Sequence, residues 1–154
     1  NPRSMFLLPF YHDIFPDLKF IHVIRDGRDM SFGNPFVHSP TYWGILSEEE
    51  ARNLTPEERM IKFWGEGNRK VRNYGQEKLD RNYLMIRFED ICDFPEREVT
   101  RITDFIDVPA SLVPNLASLV HKPKSIGRWK QHDEKQVEKV MDLGKEYLGE
   151  FGYL

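Results

Sequence analysis

Lys19-Phe20-Ile21-His22-Val23-Ile24-Arg25-Asp26-Gly27-Arg28-Asp29-Met30 is an apolar, β-branched run that ends abruptly in a charged turn around one glycine. Residues 19–24 read as a strand, apolar on both faces as a buried parallel strand is. Residues 25–28 read as the turn. A helix is expected from Asp29 to about Phe32, soon weakened or ended by Gly33-Asn34-Pro35. In open parallel sheets, ligands sit just beyond the carboxyl ends of the strands. The helix that follows aims its N–H groups and positive dipole end at that spot. Arg25 is the first residue off the strand, and its guanidinium fork suits a phosphate there.

Working outward, residues 4–15 predict a short, mostly buried helix, with Ser4 as cap and Pro9 as a kink or early break. Pro16-Asp17 is a turn. Residues 34–46 carry Phe36, His38, Tyr42 and Trp43 among prolines and glycine, and read as a loop over a pocket mouth. Ser47-Glu48-Glu49-Glu50 has capping-box spacing and starts a short helix. Thr55 caps, and Pro56 opens, a longer helix to about Leu79, with Met60, Phe63, Trp64, Val71 and Tyr74 toward one face. Residues 83–88 read as a second buried strand, and residues 89–94 as its exit turn. Residues 95–106 form an amphipathic helix burying Val99, Ile102, Phe105 and Ile106, and residues 110–120 another short one. Residues 121–129 are a basic, glycine-containing loop. Residues 133–150 close the chain as a helix with Val137, Val140, Met141 and Tyr147 toward the core. Two strands separated by a helical crossover predict an α/β fold with a parallel sheet. Two strands are too few for a stable sheet, so others are expected from a missing segment, a partner chain, or stretches of this sequence whose pattern does not mark them as strands.

The 154 residues suffice for a single domain with its own core. A formal charge of −3 argues against a general nucleic-acid binder. Cys92 is the only cysteine, so no internal disulfide framework exists, and a reducing, cytoplasmic location is the expectation. No apolar run approaches the roughly 20 residues of a membrane span. No signal peptide is visible, although the chain opens on Asn1-Pro2-Arg3 without a methionine.

Plainer roles compete for several of these residues. Arg25 and Arg28 could pair with Asp26, Asp29 or Glu89. Asp29 reads as a structural partner of the helix start rather than a catalyst. His22 reads as a packed, hydrogen-bonded core histidine. His12, His38, His121 and His132 lack metal-ligand spacing, and no metal is expected. Of these, only His38 falls near the aromatic loop, where a part in the chemistry is the minor reading. Glu89-Asp90 has the look of a carboxylate pair after a strand, with a structural role preferred over a metal. Phe36, Tyr42, Trp43 and Trp64 could line an acceptor site or serve as packing. Trp129 reads as a packing anchor for the late loop.

Three stretches together resemble the sulfotransferase family, enzymes that use 3′-phosphoadenosine 5′-phosphosulfate (PAPS). The first is Phe20-Ile21-His22-Val23-Ile24-Arg25-Asp26-Gly27-Arg28-Asp29, similar to the strand and turn that hold the 3′-phosphate. The second is Ile86-Arg87-Phe88-Glu89-Asp90-Ile91 followed by Pro95. The third is Lys122-Pro123-Lys124-Ser125-Ile126-Gly127-Arg128-Trp129, like the late loop that closes over the nucleotide. The lead-in from Asn1 to Pro16 is also similar, particularly to bacterial members and tyrosylprotein sulfotransferases.

The resemblance implies a P-loop NTPase-like parallel sheet with flanking helices, and sulfuryl transfer to a hydroxyl or amine by in-line displacement. It implies that Arg25 binds the 3′-phosphate and that Phe88 lies against the adenine. Lys124, Gly127 and Arg128 would supply the late-loop contacts, Arg128 to the 3′-phosphate. Such a site must be locally basic although the protein is acidic. There are departures. The family's serine eight positions after the turn arginine is Gly33 here, and Ser31 points elsewhere. The tyrosine of the second motif is Phe88. The glycine-rich 5′-phosphosulfate loop is absent, since Gly65 and Gly67 lie in helical sequence. The expectation is therefore an incomplete sheet lacking its N-terminal strand and phosphosulfate loop. The chain would be the C-terminal portion of a sulfotransferase domain, inactive alone, its catalytic residues unidentified and upstream of Asn1. Carbohydrate, lipid, peptide and small-molecule acceptors all suit an aromatic loop. Open strand edges favour a homo-oligomer. The rivals are a P-loop-type small-molecule kinase and a truncated, non-catalytic nucleotide-binding module.

Overall fold

The computed structural model describes residues 4–33 and 44–154. In chain order these form α1 (Leu8–Ile14), β1 (Phe20–Ile24), α2 (Gly27–Ser31), α3 (Glu48–Arg52), α4 (Pro56–Tyr74), β2 (Tyr83–Arg87), α5 (Phe88–Asp93), α6 (Pro95–Phe105), α7 (Val113–Ser118) and α8 (Glu134–Glu150). The architecture is α/β, mostly helical, with β1 and β2 paired in parallel. The chain divides into two compact units, Asn1–Arg25 with Val71–Pro123, and Asp26–Lys70 with Lys124–Leu154.

The first unit holds the sheet. Its register sets Phe20 against Tyr83, His22 against Met85, and Ile24 against Arg87. Leu8, Val71 and Leu79 are buried together, with Met5, Leu18, Phe20, Tyr74 and Tyr83 packed around them. His22 is buried, and its Nδ1 lies 2.7 Å from the Tyr83 hydroxyl. Burial holds that hydroxyl well above the ordinary tyrosine range, so it stays neutral beside the imidazole. The core-histidine reading of His22 is thus correct. Other expectations need correction. β1 is buried on one face only: His22 and Ile24 point inward, whereas Val23 on the opposite face is 50% exposed. Pro9 does not break α1. It lies in the first turn, where its missing N–H leaves no bond unmade, and a 3₁₀ turn (Ser4–Leu7) precedes it. Only Leu8 of α1 is buried, with Phe10 and Ile14 exposed, as is Leu7 of the preceding 3₁₀ turn. Residues 89–94 are not a turn, because nothing in Phe88-Glu89-Asp90-Ile91 breaks a helix and α5 starts directly after the strand. Ile106 lies one residue past α6 and is exposed.

The second unit packs α2, α4 and α8. Ile61, Trp64, Gly65 and Asn68 on α4 recur at helical spacing and are buried. Val140, Gly144, Tyr147 and Leu148 do the same on α8. A Cβ on Gly65 would lie 2.2 Å from the Tyr147 ring, so this glycine exists for close helix packing, in keeping with its helical reading. Tyr147 donates its hydroxyl hydrogen bond to Glu66, and Arg69 reaches Glu146 and Glu150. The helix starts follow their sequence signals. Ser47 and Glu50 form a reciprocal capping box. Thr55 and Glu58 bond each other's backbone N–H, and Asp133 caps α8. Trp64 is buried against Phe151 and Tyr153, which makes it a core residue rather than acceptor-site lining.

Candidate functional site

The first strand exit is tighter than the sequence suggests. α2 begins at Gly27, two residues earlier than expected, because the Asp26 side chain caps it by accepting the Arg28 N–H at 2.9 Å. The same carboxylate takes the Arg28 guanidinium at 2.9 and 2.8 Å. Arg28 also donates to the Tyr153 carbonyl and lies 4.3 Å from the centre of the Trp129 ring. It is therefore a structural arginine, and Trp129 the packing anchor it was expected to be. Asp26 occupies the helix start that the strand-end rule offered to an external anion. Ser31 donates to the Gly27 carbonyl within α2, so its hydroxyl is directed inward.

Arg25 takes a different path, within the first unit. Its guanidinium lies 5.4 Å from the centre of the Phe88 ring, a cation–π distance. Ile24 and Arg87 are register partners, so Arg25 and Phe88 are the next residues off two neighbouring strands. The structure brings these two predicted residues together. Phe88 is the first residue of α5 rather than the last of the strand. Glu89 is buried, and Asp90 lies 3.4 Å from Arg87, a structural use of that carboxylate.

The late loop is divided between the units. In the first, Lys122 pairs with Asp93, which raises the lysine pKa through that hydrogen bond. In the second, Lys124 is exposed and residues 124–127 form turns, after which Arg128–Gln131 is a 3₁₀ helix. Gly127 has φ 78°, a left-handed conformation that favours glycine. Its N–H donates to Asp29 at 2.8 Å, and the Trp129 N–H donates to the other carboxylate oxygen at 3.3 Å. Asp29 is 2% exposed. It is a structural partner, a carboxylate in the first turn of α2 that also holds the late loop. Local spacing carries no hint of this bond, which spans 98 residues. Arg128 donates to the Ser125 carbonyl, and a Cβ on Gly33 would lie 3.5 Å from its terminal nitrogen. The position where the resemblance expects a hydroxyl thus adjoins the arginine expected to share its phosphate. Phe36, His38, Tyr42 and Trp43 lie outside the described residues. Among those described, no group of three or more His, Cys, Asp or Glu could hold a metal ion, and no helix is long and apolar enough to cross a membrane.

The sulfotransferase family model matches residues 1–111, and the chain belongs to that family. That span includes both strand exits, and the late loop lies beyond it. A Caenorhabditis elegans protein with the provisional name protein-tyrosine sulfotransferase is 27% identical over 111 residues, or 72% of this chain. The chain spans about two-fifths of that protein's length (39%). No solved structure matches.

Proposed function

We propose that this chain forms the adenosine-binding part of a PAPS-dependent sulfotransferase with a P-loop-like fold. The observation that carries the reading is the convergence of Arg25 and Phe88 at neighbouring strand ends. A guanidinium beside an aromatic face is the donor set a phosphorylated adenosine requires. Arg25 holds the 3′-phosphate, and Phe88 offers the ring face not covered by Arg25 to the adenine. In the second unit, Arg128 and Lys124 are the cationic late-loop residues that the resemblance assigns to the nucleotide. Gly127 acts through the turn it permits, since its amide is committed to Asp29. When bound, PAPS supplies the sulfuryl group. The residues here hold and orient its nucleotide end, a contribution of positioning to the reaction. The acceptor is a hydroxyl or amine, and a reducing compartment such as the cytoplasm suits the lone Cys92.

Calorimetric titration tests this reading. 3′-Phosphoadenosine 5′-phosphate is compared with 5′-AMP and with ATP plus magnesium. Preference for the doubly phosphorylated nucleotide is expected, falling by about tenfold in Arg25→Ala, the worth of one charge-assisted contact. Equal binding of all three by a folded sample overturns the reading, and a magnesium-dependent preference for ATP favours a kinase.

A further inference from the structure

Asp29 is a buried carboxylate on a five-residue helix, and the family resemblance gives it no ligand to hold. A carboxylate this buried is costly unless hydrogen bonds compensate it. Two of its compensating donors come from the backbone of the late loop, one to each oxygen. Those two N–H groups can converge only because of the loop's conformation. Gly127 is left-handed and Arg128 enters a 3₁₀ helix, and this alternation turns nearby amides into a concave anion seat. The chain fills that seat with its own carboxylate. Arg128 stands between the two anchored amides, so its backbone is fixed on both sides. Its side chain then reaches the position of Gly33, two residues past the end of α2. Arg28 reinforces the arrangement by stacking on Trp129 while bound to Asp26.

We propose that Asp29 is a positioning residue: its carboxylate sets the Gly127–Trp129 backbone and thereby presents the Arg128 guanidinium to an anionic ligand. The ligand side of this statement rests on the nucleotide reading above, whereas the loop-setting side does not. Asp29 touches no ligand and takes no part in chemistry. Asn at this position keeps the shape but replaces one acceptor oxygen with an NH₂ group, which meets a loop N–H donor to donor. The loop then loses one anchor without creating a cavity.

The test uses the full chain in two measurements. Hydrogen exchange reports the amides of Gly127 and Trp129 with no nucleotide present. Both are expected to be protected in the wild type and to exchange faster in Asp29→Asn. Unprotected amides in the wild-type chain overturn the proposal even if the variant does not fold. The second measurement is a double-mutant cycle on the affinity for 3′-phosphoadenosine 5′-phosphate. Asp29→Asn alone is expected to weaken binding about tenfold, the worth of a hydrogen bond to a charged group. In the Arg128→Ala background the same substitution should have little further effect. Equal losses in both backgrounds would mean that Asp29 acts through general stability, and the positioning role is then withdrawn. If the wild type fails to prefer this nucleotide over 5′-AMP while the exchange result holds, the nucleotide reading fails and the loop-setting half stands.

Discussion

The chain leaves its two strands in opposite ways. After β1, a two-residue turn leads into α2, and almost every polar group there is bound to the protein's own backbone or side chains. Asp26 caps the helix and holds Arg28, Asp29 holds the late loop, and Ser31 bonds back within α2. After β2 there is no turn at all. Arg87 provides no side-chain cap to α5, its ion pair with Asp90 is long and about a third exposed, and the next residue is the half-buried Phe88. One exit uses charge to fix backbone, and the other keeps an aromatic face beside a cation. Substitutions at Asp26 and Gly27, which serve the start of α2 alone, should therefore appear as lost stability, and those at Phe88 as lost binding.

Asp26→Ala gives the largest expected effect. It removes the α2 cap and strips a nearly buried arginine of its carboxylate, the two side chains being 11% and 12% exposed. Breaking such a pair costs about 3 kcal/mol, measurable by urea denaturation. Gly27→Ala comes next. An added Cβ would lie 2.5 Å from the Trp64 ring and 2.7 Å from Ile61, both rigidly packed. Overpacking of this kind costs about 2 kcal/mol. The counterpart at the second exit, Asp90→Ala, should cost less than about 1 kcal/mol, as exposed ion pairs do. If Asp90→Ala proved as costly as Asp26→Ala, the contrast between the exits would collapse.

How far the sequence discloses this arrangement follows from the range of the interactions. Ser47 with Glu50, and Thr55 with Pro56 and Glu58, announce their helices because the bonds close within three residues. The β1 run and its arginine are legible for the same reason, as is the parallel pairing, given the helix between the strands. The start of α2 is not legible because Gly27 reads locally as a turn, whereas Trp64 and Ile61 need a residue without a side chain there. Phe88 reads as strand because an aromatic continues an apolar run, and no breaker marks the change to helix. Asp29 gave no sign of its partners, since the amides it binds are far away in sequence and backbone N–H groups carry no residue signature. For the candidate site, then, Arg25 and Phe88 were legible together, and the support beneath Arg128 was not.

Cys92 offers the smallest and sharpest probe of the second exit, because it lies on α5 and is half-buried. Desolvation pushes its thiol pKa up, and the Asp93 and Glu89 carboxylates push it further, against a smaller opposing pull from Lys122 and Arg25. A raised thiol pKa favours the neutral form in the folded chain. The associated stability is fully present below the ordinary thiol range and is lost as pH climbs through the raised value. Since only the thiolate alkylates, labelling by iodoacetamide at about pH 8.5, where an ordinary thiol is half ionised, should run slower than that of a peptide thiol. Asp93→Asn should speed it, because one of the two carboxylates opposing ionisation is removed while the Lys122 charge remains. Labelling at the peptide rate in the wild type would mean that α5 leaves Cys92 in water. The start of α5 at Phe88 would then be a looser surface than its cation–π contact with Arg25 implies.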